Sequence, residues 1–136
     1  MMKIITWNIR GLNDRSKQRI LRDCIKAKSP DILMLQEMKC AGMEAETIFQ
    51  RIWKGCNSIQ TDSSEASGGL AILWNPSHPT LSGPFSTIGT LSAHFAIIGL
   101  NQEGTITNVY GPQGQKEKIK FMESLARVKS LETTPN

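Results

Sequence analysis

The sequence predicts an α/β domain with a mixed sheet and outer helices, and two features carry that expectation. Residues 3–37 run strand, helix, strand, and the second strand is apolar on both faces. After Trp53 the texture changes to short β-rich runs broken by Gly, Pro, Ser and Asn, the pattern of antiparallel strands.

Taken in order, Lys3–Asn8 (KIITWN) is short, β-branched and aromatic, hence a strand, and Gly11 and Asn13 break it. Asp14 can cap a helix reaching about Lys28, with Ile20, Leu21, Cys24 and Ile25 as its inward face. Ser29-Pro30 stops it, because the residue before proline is driven out of helical geometry. Asp31–Glu37 (DILMLQE) is the buried strand, and Met43–Trp53 is a second amphipathic helix with Ile48, Phe49, Ile52 and Trp53 inward. Five strand candidates follow at Asn57–Asp62, Leu70–Trp74, Leu81–Ile88, Ala93–Leu100 and Thr105–Tyr110. Gln115 to about Leu131 reads as a third helix, with a frayed end after it.

Composition agrees with a globular chain. The 136 residues are 39% apolar, which argues against intrinsic disorder and leaves enough side chains for a core. No apolar run approaches the ~18 residues of a membrane span. Met1-Met2-Lys3 leads straight into strand-like sequence, so a nuclear or cytoplasmic chain, not a secreted one, is expected. Cys24, Cys40 and Cys56 form no Cys-x-x-Cys pair and lie far in sequence from His78 and His94, which speaks for reduced thiols over a zinc site or disulfide framework. The net charge of +4 is unevenly spread: Lys and Arg gather in residues 1–54 and are absent from residues 55–114. This permits a polyanionic partner, while solvated helix faces account for most of the lysines, the Lys116, Lys118 and Lys120 series included.

Asn8 and Glu37 are the pair that could carry chemistry. Each closes a strand of the strand–helix–strand unit, and both ends lie on the carboxyl side of the sheet, where ligands of open α/β sheets bind. An amide oxygen beside one carboxylate suits magnesium, a hard ion that takes oxygen ligands and keeps several waters. On spacing alone the simpler account is favoured: a strand emerging into solvent at Glu37, with Asn8 as a turn residue. Trp7, Trp53 and Trp74 read as core, His78 as an exposed loop residue, and His94 as a strand histidine. Asp31 reads as a cap on the turn into its strand.

Four segments in register alter that balance: TWNIRGLN at 6–13, PDILMLQEMK at 30–39, SGGLAILWN at 67–75 and TNVYGPQ at 107–113. Together they resemble the endonuclease/exonuclease/phosphatase superfamily, the magnesium-dependent phosphoesterases related to apurinic/apyrimidinic endonucleases. The wording is most similar to the endonuclease domain of plant LINE-type (non-LTR) retrotransposons. The resemblance implies the first half of a four-layer, DNase I-like α/β sandwich over residues 1–136, with the chain supplying most of one sheet and its outer helices. It implies Glu37 as metal ligand with Asn8 beside it, and Asn8 and Tyr110 as catalytic positions, the tyrosine hydroxyl lying near the scissile phosphate. Lys39 and Gln113 become phosphate or nucleic-acid contacts, glutamine standing where repair-type relatives have asparagine. Gly68-Gly69 takes a structural role before a core strand. Magnesium, with manganese as its substitute, is the implied cofactor and DNA the implied partner. No membrane or obligate protein partner is expected, although a sheet surface could be left exposed.

The same family needs a downstream Gly-Asp-x-Asn-like segment and a closing Ser-Asp-His-like segment. No aspartate follows Asp62, and neither histidine is preceded by one. Single α/β domains of this kind commonly run to roughly 200–250 residues, so a partial domain with little or no hydrolysis of its own is expected. Two alternatives stay open: a phosphatase or a lipid or RNA phosphodiesterase of the same superfamily, and a retroelement relic that binds polyanions through its basic first helix.

Overall fold

The computed structural model describes residues 2–62, 68–97 and 99–110. The chain begins with strand β1 (Ile4–Asn8), helix α1 (Arg15–Lys28), strand β2 (Ile32–Gln36) and helix α2 (Gly42–Ile52). Five strands follow: β3 (Asn57–Gln60), β4 (Ala71–Trp74), β5 (Pro79–Thr87), β6 (Thr90–Ile97) and β7 (Gln102–Val109). The expected helix over 115–131, and Gln113 with it, lie outside the described residues.

Local chemistry sets the helix ends. Asp14 sits in extended geometry, and its carboxylate accepts from the Ser16 and Lys17 backbone N–H groups at 2.9 and 3.4 Å. Those are donors that the first helical turn would otherwise leave unmet. Ser29 turns left-handed at φ +47° and returns its N–H to Ile25 O, so α1 stops one residue before Pro30. The buried stripe of α1 is Gln18, Leu21 and Ile25. Ile20, expected inward, is 54% exposed: it stands about 100° round the helix from Leu21, while Gln18 shares Leu21's side.

The strands form two sheets. The first has the order β1-β2-β4-β3, with β1 parallel to β2 and the other pairs antiparallel. β2 lies between β1 and β4, and all five of its residues are buried. Its alternation divides two cores, since successive side chains point to opposite faces. Leu33 and Leu35 pack with Leu21, Phe49 and Ile52 of the helix layer. Ile32 and Met34 pack with Leu91, Phe95 and Ile106 of the second sheet. β4 repeats the division, with Leu73 toward the helices and Ile72 and Trp74 toward the second sheet. Each of these large side chains contributes about 1.5–3 kcal/mol through burial.

The second sheet is an antiparallel meander in the order β5-β6-β7. The sequence expects most of one sheet; the chain builds parts of two that face each other. The reason is that β6 places Leu91, Ala93 and Phe95 on one side, which needs an apolar surface to meet, and the far face of β2 and β4 supplies it. The β5–β6 boundary also moves from the expected position. Thr87 pairs with Thr90 across a two-residue turn whose Gly89 has φ +80°, so Ile88 is a turn residue, 89% exposed. Phe85 on β5 is likewise exposed, as a sheet surface left open would be.

The mixed α/β architecture is thus as the sequence predicts, in layers of helices, first sheet and second sheet. Trp74 is buried, and Trp7 and Trp53 are half-buried against the helix-side core. All three cysteines are free thiols, and burial pushes the Cys56 thiol up to about 11. Among the described residues no helix is long and apolar enough to cross a membrane.

Candidate active site

Parallel pairing of β1 and β2 sets Asn8 opposite Gln36, so the two strands end together. The backbone remains zipped beyond that point: Ile9 N–H donates to Gln36 O, Gly11 N–H to Glu37 O and Leu12 N–H to Met38 O. From the other side Met38 and Lys39 donate to Gly69 O and Gly68 O at 3.2 and 2.8 Å. The segment 37–39 is therefore clamped between two loops, and in that clamp Glu37 and Lys39 take φ of +52° and +57°. Left-handed backbone at residues with a Cβ costs on the order of 1–2 kcal/mol each and persists only where neighbours fix it. Gly68, itself at φ +70°, lies against Glu37; a Cβ built on it would meet the Glu37 Cα at 3.4 Å. The glycine pair thus does more than lead into β4: it backs the carboxylate-bearing residue.

Asn8 and Glu37 share this strand end, and a hydrogen bond brings Tyr110 to Glu37. Asn8 is 9% exposed, and its Oδ1 is buried with no hydrogen-bond donor among the described residues. Leaving an acceptor so placed costs roughly 1–3 kcal/mol, and a lone pair without a donor can be met by a cation. Glu37 is half-buried, and its Oε1 accepts from the Tyr110 hydroxyl at 2.8 Å. Tyr110 is fixed at the end of β7, where its N–H donates to Gly89 O. The structure thus brings Asn8, Glu37 and Tyr110 to one edge. Lys39 is exposed and follows Glu37 by two residues on the same clamped segment.

The geometry depends on two residues that sequence reasoning passed over. Asn108, fully buried, donates through Nδ2 to Leu35 O at 3.0 Å and Ala71 O at 2.8 Å. Its Oδ1 accepts from Gln36 Nε2 at 2.8 Å, and Gln36 also donates to Thr6 Oγ1. This polar bridge ties β7 to β1, β2 and β4, two residues before Tyr110. The signal for it was present: Ile106, Asn108 and Tyr110 share one face of a strand by alternation, and a face carrying Ile106 into a core carries Asn108 there too.

The histidines stand elsewhere. His78 bonds Asp31, which immediately precedes β2 at the end away from Glu37, and Asp31 also accepts from the Lys3 N–H at 2.7 Å. His94 is exposed on β6, with Nε2 3.5 Å from Glu103 Oε2. Among the described residues no three His, Cys, Asp or Glu side chains gather as a metal cluster. An amide oxygen and one carboxylate are the donor set at the Glu37 edge. That set fits a hard, oxygen-preferring divalent ion retaining several waters, and the orphaned Asn8 Oδ1 is the observation that makes it fit.

Two facing sheets, a helix layer on the first, and an amide, carboxylate and hydroxyl at one sheet edge define a DNase I-like α/β fold. A model of the Endonuclease/Exonuclease/phosphatase family matches residues 5–113, and the chain belongs to that family. No curated protein sequence matches it. Among solved structures, the Xenopus laevis APE2 catalytic domain is 22% identical at a TM-score of 0.55, covering 93% of this chain and 50% of that one. A mannosyl-6-phosphatase from Bacteroides thetaiotaomicron is 13% identical at a TM-score of 0.63, covering 96% and 60%. D. rerio TDP2, solved with a single-strand DNA product, is 16% identical at 0.59, covering 98% and 56%. These likenesses establish the fold, and the chain spans about half the length of the solved structures it matches.

Proposed function

We propose that the chain carries the metal-holding end of a divalent-metal phosphodiesterase of the endonuclease type, acting on DNA. The observation that carries this reading is the orphaned Asn8 Oδ1 at the strand end beside Glu37, whose carboxylate is itself oriented by Tyr110. Family membership supports phosphoester chemistry, and neighbours named as APE2 and as TDP2 with a DNA product support DNA as the substrate class. The retroelement assignment rests on the wording of the four segments at 6–13, 30–39, 67–75 and 107–113 taken together.

In this reading Asn8 Oδ1 and Glu37 hold magnesium, or manganese in its place. Such an ion, when bound, neutralises charge on the phosphoryl oxygens and the leaving oxygen. Asn8 supplies a neutral lone pair and Glu37 the balancing negative charge. Tyr110 orients the carboxylate through its hydroxyl, whose one proton goes to Glu37 here; to donate to a phosphate oxygen it would have to leave that carboxylate. Lys39 adds a positive charge on the same segment, and Gln113 extends the contact set three residues beyond Tyr110.

The sequence offers no aspartate after Asp62 and no Asp-His pair, so a general base of the family's kind is missing from these 136 residues. Base and transition-state donors act as a unit, and losing part of it forfeits most of the rate. The proposal is therefore a partial domain, residues 1–136 with motifs within 3–113, that binds metal but hydrolyses very weakly or not at all. The missing pair also favours a second reading, in which the chain binds polyanions without cleaving them. Nicking of supercoiled plasmid in Mg²⁺ tests both. Background-level nicking, equal in the wild type and in Glu37→Ala, is expected. Robust cleavage abolished by that substitution would overturn the inactive half-site.

A further inference from the structure

The outer helix layer carries a charged groove that the Glu37 edge does not use. Arg15, Arg19 and Arg22 lie at i, i+4 and i+7 on α1, one stripe of the helix, and Arg51 of α2 faces them across a groove of about 310 Å³. All four are exposed. Gln18 lies on the same groove and is 4% exposed; its Nε2 donates to Leu12 O at 2.9 Å, and its Oε1 accepts from Arg51 Nη1 at 3.2 Å. Arg51 is thus positioned by a neutral acceptor, not by a carboxylate. Among the described residues none of the four guanidiniums makes an ion pair. Like charges at i, i+4 repel, and although Asp23 stands four residues after Arg19, no carboxylate among the described residues lies within ion-pair distance of the row.

We propose that this groove binds the phosphate backbone of a nucleic-acid strand, as a second site on the helix layer. The inference rests on the proposed function for the choice of nucleic acid among polyanions. Guanidinium forks match phosphate oxygens two at a time. At 1.5 Å rise per residue Arg15 and Arg22 stand roughly 10 Å apart along α1, a row that serves successive phosphates better than one isolated ion. The concave shape admits a strand, whereas a flat bilayer would not reach Gln18 at its floor. α1 follows β1 through residues 9–14, so Arg15 is the end of the row joined by that short segment to the strand that closes at Asn8.

The test is anisotropy of a labelled single-stranded DNA oligonucleotide, titrated in EDTA so that metal binding plays no part. Arg19→Gln/Arg22→Gln should weaken binding at least tenfold at low salt and reduce the slope of log K against log[salt] by about 1.4. Lys26→Gln/Lys28→Gln removes the same charge from the far end of α1 and should change affinity no more than about twofold. Arg19→Lys/Arg22→Lys, which keeps the charge, should recover most of the loss and report that the fold is intact. Equal losses in the two Gln pairs, or none in the arginine pair, would overturn the groove. Arginine-dependent binding to phosphatidylserine vesicles without oligonucleotide binding would overturn the occupant. Because the assay contains no metal, its failure leaves the Glu37 proposal standing, and failure of Mg²⁺ binding leaves this one standing.

Discussion

Tyr110 on the second sheet donates its hydroxyl to Glu37 Oε1 on the first, at 2.8 Å, joining residues 73 apart in sequence. The contact falls at the edge where Asn8 closes β1, so one hydrogen bond both docks the sheets and orients the carboxylate. It depends on Asn108, which seats β7 on β2 and β4 through two backbone carbonyls and on β1 through Gln36 and Thr6.

Breaking that bridge should loosen the sheets. Asn108→Leu strips hydrogen bonds from Leu35 O, Ala71 O and Gln36 in a buried setting. A loss of roughly 2–3 kcal/mol is expected, measured by urea denaturation. A loss below about 0.5 kcal/mol would mean that the bridge contributes nothing net.

Gly68 should resist substitution. Its φ of +70° and its place against Glu37 make Gly68→Ala costly by about 1–2 kcal/mol, read as a lowered thermal midpoint. An unchanged midpoint would show that the loop relaxes freely.

Asn8 should be worse for stability than for function. Replacing an orphaned buried acceptor with an apolar side chain of similar size removes a desolvation penalty. Asn8→Leu should therefore raise stability without metal by about 1–2 kcal/mol. A destabilised variant would mean that Oδ1 is satisfied in the folded chain.

The Asp14 cap should give α1 an acid-sensitive end. The Ser16 hydroxyl, then the Ser16 and Lys17 N–H groups, hold its carboxyl below the ordinary carboxylate value. A depressed folded pKa adds stability that is complete above the unfolded value and is lost as pH falls through the folded one. The gap in thermal midpoint between wild type and Asp14→Ala should thus be widest at neutral pH and shrink in acid. Asp14→Ser keeps an acceptor without a titrating charge, and its midpoint should fall less between pH 7 and pH 3. A gap independent of pH would remove the carboxylate from the account.

Much of this was legible in the sequence, for reasons that differ residue by residue. DILMLQE announces a strand buried on both faces, and its alternation even assigns Leu33 and Met34 to different cores. Asn8 and Glu37 could be paired because each closes a strand of one strand–helix–strand unit, while Tyr110 was named only through the family resemblance carried by TNVYGPQ. The 2.8 Å contact between Glu37 and Tyr110 could not be read there, since it arises from how two sheets stack, which no segment encodes alone. Asn108 and Gln36 were missed for a related reason: one amide in a strand reads as solvent-facing until a partner appears opposite it. Ile20 erred the other way, an apolar side chain that the packing of α1 leaves outside.

The most direct test of the metal-holding half-site is calorimetric titration of Mg²⁺, with Mn²⁺ as cross-check, into the wild type, Glu37→Gln and Asn8→Leu. The wild type should bind one divalent ion, with affinity at least tenfold weaker in each variant while both stay folded. Undiminished binding in Glu37→Gln, or no binding by the wild type, would contradict it.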